Sequence, residues 1–151
     1  MRTCASVMLV VVVLFASSLA AVCARPAVTA HGEFQSQFHI AGQWFEVQIA
    51  FNVQDRGDVG DRGNLSMRAF DHWTGKLVAV LVSEGEMDVF LDGDWVLFTT
   101  ALRPTFFDPD YYLPLHLFPA VTFQALDGGE DDEFKVFLAP LPVEKGKIVV
   151  R

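Results

Sequence analysis

Cysteine is nearly absent: the chain holds two in 151 residues, and both, Cys4 and Cys23, fall within its first 24 positions. From residue 25 onward there is no thiol, which rules out an internal disulfide and a cysteine-built zinc site, so stability must come from core packing. Basic charge is also scarce, with 11 Lys and Arg against 19 Asp and Glu and a net charge of −8. That balance repels phosphate backbones and anionic lipid surfaces and argues against nucleic-acid binding. Apolar residues at helical spacing are missing beyond the amino terminus, and so is a second long apolar run of the roughly 20 residues a spanning helix needs.

The amino terminus itself has a recognisable plan. Met1-Arg2 precedes the apolar run Val7 to Ala16, and small residues follow as far as Val22-Cys23-Ala24. A charged start, a short apolar core broken by Ser17-Ser18 and a small-residue cleavage site predict a signal peptide over 1–24, removed on the way to a secreted or luminal location. Val22, standing before Cys23, argues against a lipid-anchored cysteine. Residues 25–32, with Pro26, read as a disordered linker. What remains, 33–151, is long enough for one domain with a real core and too short for two.

Period-two patterning runs through that domain. Phe45, Val47, Ile49 and Phe51 alternate with polar residues, as do Leu65, Met67 and Ala69, and each set predicts a strand with one wet face. Residues 77–82 are apolar on both faces and predict a covered central strand. Asp92-Gly93 predicts a tight hairpin, and further strands are expected around Val121 to Ala125, Phe134 to Leu138 and Ile148 to Val150. The fold class is therefore all-β, an antiparallel β-barrel or a β-sandwich; a barrel would bring the strand of Trp44 beside the last one, whereas a sandwich would leave open edges. One segment breaks the rhythm: residues 103–119 carry Pro104, Pro109, Pro114 and Pro119 among aromatic and aliphatic side chains. Proline cannot donate to a ladder, so a stretch this apolar must fold onto the core or cover something else.

Gly42-Gln43-Trp44-Phe45-Glu46-Val47 resembles the Gly-x-Trp motif that opens the first strand of the lipocalins. That resemblance implies an eight-stranded barrel holding a small apolar ligand, with Trp44 closing its floor and Arg151 stacking over it. It implies a carrier of a small apolar or amphipathic molecule. The residues read as lining the mouth are Trp95, Phe98, Tyr111, Tyr112 and His116. The alternative is a β-sandwich interaction module that docks a secretory-pathway protein through 103–119.

Enzymatic chemistry finds little footing. His31, His39, His72 and His116 are scattered away from metal-ligand spacing, and no Ser or Thr has the surroundings of a nucleophile. No cofactor is implied. Asp108 and Asp110 could form a carboxylate pair, but a domain this small offers no room for a sugar cleft. Arg56-Gly57-Asp58 matches an adhesion tripeptide in a loop expected to be solvated, and Asp55, Asp58 and Asp61 lack calcium-loop spacing. The acidic run Asp127 to Glu133 reads as a solvated hairpin tip. Asn64-Leu65-Ser66 is an acceptor sequon for N-glycosylation.

Overall fold

The computed structural model describes residues 28–57, 60–137 and 139–151; the expected signal peptide, Asp58 and Leu138 lie outside them. The described residues form nine strands: β1 (Val28–Ile40), β2 (Gln43–Asp55), β3 (Arg62–Asp71), β4 (Leu77–Asp92), β5 (Trp95–Phe107), β6 (Val121–Leu126), β7 (Glu133–Val136), β8 (Ala139–Pro142) and β9 (Lys145–Val150). A 3-10 turn, Pro114–Leu117, sits between β5 and β6. All nine belong to one antiparallel sheet in the order β8-β7-β6-β5-β4-β3-β2-β1-β9. Among the described residues there is no second sheet, so the sandwich gives way to a single sheet curled into a half-barrel.

The curl is fixed by what its inner face carries. Phe45, Val47, Ile49, Phe51 and Val53 of β2 are all buried, while the residues between them are exposed. Phe34 on β1 meets Phe134 on β7 with ring centroids 4.8 Å apart, although five strands separate the two along the sheet. Only a sheet rolled back towards itself brings them together. Phe51, Phe98 and Phe123 complete the packing, each centroid within 5.9 Å of Phe134 or of another member. Offset and tilted rings at this separation add directional attraction to a large buried apolar area.

β1 is the main departure from the sequence reading. Residues expected in a linker pair with β2 from Val28 onward and with β9 from Ala30 onward. Ala30, Gly32, Phe34 and Ser36 face inward at period two, but Ala30, Gly32 and Ser36 are too small or too polar to give the pattern an apolar signal. Gly32 is required there: a Cβ would lie 2.5 Å from the Phe51 ring. With β1 in place, the last strand lies beside it and not beside the strand of Trp44.

The turns follow local chemistry. Ala41 (φ 50) and Gly42 (φ 81) form the two-residue loop between β1 and β2, where positive φ at both positions is the type I′ requirement. The hairpin expected near Asp92-Gly93 is present, with Asp92 opposite Trp95 and Gly93 at φ 59. Residues 77–82 are not covered on both faces. A register shift against β3 at Ala69/Phe70 lets the neighbours Val78 and Ala79 both enter the core with Leu81, and leaves Val80 and Val82 half-exposed outside.

Free edges remain at β8 and β9, and each is neutralised. Ile148 donates its N–H to Asp132 Oδ2 at 2.6 Å, and Val150 donates to Asp127 Oδ2 at 3.1 Å. Two carboxylates from the β6–β7 loop thus stand in for a missing strand. On β8, Pro140 and Pro142 have no N–H to offer a further strand. The acidic run is therefore a closing clasp at these two positions, where the sequence suggested a solvated tip.

Candidate functional site

The 103–119 segment divides between ladder and plug. Arg103 to Phe107 extend β5, with Pro104 at a register shift, opposite Leu81. Asp108 then turns the chain: its N–H donates to the Val78 carbonyl, its carboxylate accepts the Asp110 N–H, and Lys76 Nζ lies 2.5 Å from Oδ2. Asp108 is only 7% exposed. The Lys76 ammonium, reinforced by the Asp110 N–H, holds its carboxyl below the ordinary carboxylate range, and Asp108 in turn raises Lys76. So Asp108 is a structural anchor, its carboxylate taken up by the Lys76 ammonium and the Asp110 N–H.

Beyond the anchor the chain seals one end of the half-barrel. Leu113 is buried, and Tyr111 meets Phe45 edge-on at 6.2 Å, with Lys76 Nζ 5.8 Å from the Tyr111 ring centre. Leu113 and Leu115 cover Phe38, Val47, Met67 and Leu81, leaving an enclosed space of about 10 Å³. Every side chain lining it is apolar, so it offers a water no partner and stays dry. His116 bonds the Leu113 carbonyl through Nδ1 at 3.0 Å and packs on Phe107 at 5.0 Å, which fixes the 3-10 turn.

The outer side of the plug is apolar and uncovered. Leu117 is 69% exposed and Phe118 46%; across from them Phe137, 43% exposed, meets Phe118 edge-on at 5.1 Å. Phe137 sits at φ 50. A bulky side chain in the left-handed region costs on the order of 1–3 kcal/mol, and such outliers concentrate at functional surfaces. Its N–H donates to Thr122 O at 3.0 Å, which holds the conformation and keeps the ring outside.

The residues singled out as a ligand mouth do not converge. Phe98 is buried in the ring cluster; Trp95 lies on the hairpin side, 5.6 Å from Phe90; Tyr111 and His116 belong to the plug, and Tyr112 points to solvent. Trp44 is 44% exposed on the outer face beside His39, while Arg151 pairs with Thr29 at the opposite end of β1. At the rise of a strand these positions are about 30 Å apart, so the two make no stack, and Gly42 is explained by its turn. Asn64 is exposed on β3. Among the described residues no cluster of three metal-ligating side chains occurs, and no helix is long and apolar enough to cross a membrane.

The alternation Phe134, Val136, Leu138 puts Phe137 on the outer side of its expected strand, but nothing in the sequence marks its left-handed backbone, which ends β7 at Val136. Searches against family models, curated proteins and solved structures returned no match. The class the fold defines is an all-β half-barrel with a filled interior.

Proposed function

We propose that the chain is a non-enzymatic interaction module of the secretory pathway that docks a protein partner through the apolar end formed by Leu117, Phe118 and Phe137. The observation that carries this reading is the exposed Phe118–Phe137 pair, held out of the core by a strained backbone at Phe137. Large apolar side chains grouped on a surface are how partner sites look, and aromatic anchors supply most of their binding energy. The proline-blunted edge of β8 makes strand addition a poor alternative, so the partner would be met by side chains. A small-molecule carrier, by contrast, needs an apolar pocket of about 300–1,000 Å³, and the inner face here is filled by phenylalanine rings. The signal-like residues 1–24 supply the secreted or luminal setting, and the exposed sequon at Asn64 fits glycosylation there.

The test is photo-cross-linking of the full chain in secreting cells, with a photo-reactive side chain at position 117 or, as control, at the exposed position 130. The expected result is a discrete protein adduct from 117 alone that disappears in the Phe118→Ser, Phe137→Ser double variant. No adduct from 117, together with saturable quenching of tryptophan emission by fatty acids, retinoids or amines, would replace docking with the carrier.

A further inference from the structure

The outer face of the sheet is not featureless. Across β9, β1, β2 and β3 the register aligns Lys145, Gln35, Gln48 and Arg68 in one row, with Lys147, Glu33, Ala50 and Ser66 in the next. Small residues in the second row leave a floor, and the first row rises beside it. The result is a depression of about 590 Å³ with Lys145 and Arg68 both on its wall, continuing past Glu33, Ala50 and Ser66 into a second of about 530 Å³ bounded by His31 and Asn52. Both are open to solvent along one side, so a ligand would lie along the strands without being enclosed.

The charges in this trough are set against the rest of the molecule. His72, Lys76, Arg103 and Lys135 each lie against an acid. Among the described residues Arg68, Lys145 and Lys147 make no ion pair, in a chain of net charge −8. Along β9 the edge at Ile148 and Val150 is already held by Asp132 and Asp127. Strands lie about 4.8 Å apart, so Lys145 and Arg68 stand about 14 Å from each other with two glutamines between them. Primary amides donate and accept at once, as sugar hydroxyls require, and a guanidinium matches a carboxylate with two parallel hydrogen bonds. Glu33 on the floor accepts from hydroxyls and repels ligands of dense negative charge.

We propose that this trough binds a saccharide bearing a carboxylate, its acid group held by Arg68 or Lys145 and its hydroxyls by Gln35, Gln48 and Glu33. The ligand chemistry is a uronate within a polysaccharide or a sialic acid at the end of a glycan. Calorimetric titration of the full chain, made in a host that leaves Asn64 unmodified, distinguishes the two sources: one arm uses oligogalacturonate and the other sialyllactose. Saturable binding in either arm is the expected result. It should fall about tenfold or more in one of Arg68→Gln and Lys145→Gln, whichever removes the cation that holds the acid group, in line with the loss of a charge-assisted hydrogen bond, and should be lost with the methyl ester of the same sugar. Both variants are at exposed positions, and an unchanged circular dichroism spectrum shows that the fold is kept. Silence in both arms overturns the proposal, as does equal affinity for the methyl ester or for inorganic phosphate, or an affinity in both variants equal to the parent's.

Discussion

Asp132 accepts the backbone N–H of Ile148 at 2.6 Å, across the gap where the half-barrel has no strand to close it. Ile148 is fully buried, so this N–H lies where water cannot readily replace the carboxylate. Asp132→Ala should cost about 1.5–3 kcal/mol, the range for a hydrogen bond to a charged group. Urea midpoints check it, with the exposed Glu130→Ala within about 0.5 kcal/mol of the parent as control. Equal effects of the two substitutions would mean that the clasp contributes nothing.

Phe134 is the hub of the core, in contact with Phe34, Phe51 and Phe123. Phe134→Ala should destabilise by about 3–5 kcal/mol through lost burial and an unfilled cavity. Phe90, 54% exposed on the outer face, should tolerate alanine with less than about 1 kcal/mol. Chemical denaturation of the pair measures whether curl and core are one cooperative unit.

Lys76 and Asp108 make stability depend on pH at both ends. Asp108 is lowered from 3.8, so its contribution is complete above that value and lost as pH falls through the lowered one. Lys76 is raised from 10.5, so its contribution is complete below that value and lost as pH rises through the raised one. The stability difference between the parent and Lys76→Met should therefore be flat from about pH 5 to pH 9 and shrink on either side. A difference that stays constant down to the acid limit would show that the pair is not coupled to folding.

Gly146 faces Phe34 at φ 120, where an added Cβ would lie 2.1 Å from the Glu33 carbonyl oxygen. Backbone cannot move aside cheaply, so Gly146→Ala should cost on the order of 3 kcal/mol and detach β9, read as faster amide exchange at Ile148 and Val150. Gly42→Ala has open space around it despite φ 81 and should cost only about 1 kcal/mol. Matching losses would remove the steric argument.

Much of the sheet is legible in the residue pattern alone. The alternation in β2, β3, β6 and β7 assigns each inner face, because a half-buried strand needs only its own period to show which side is wet. β1 escapes because its inward side chains include Ala30, Gly32 and Ser36, whose size answers to neighbours across the sheet. The candidate docking end is half legible: the proline spacing marks 103–119 as irregular, but nothing in it says that Leu113 turns in while Leu117 and Phe118 turn out.

By itself the sequence determined the all-β class, the inner faces of β2, β3, β6 and β7 and the hairpin at Asp92-Gly93, since these depend on side-chain period and on glycine at positive φ, both local properties. Only the tertiary structure decided the rest. Whether nine strands form one sheet or two, which aspartates clasp β9 and which cations stand together on the outer face all depend on residues far apart in the chain. Curl is set by how Phe34 and Phe134 fill the same space, and no local pattern encodes a distance between them.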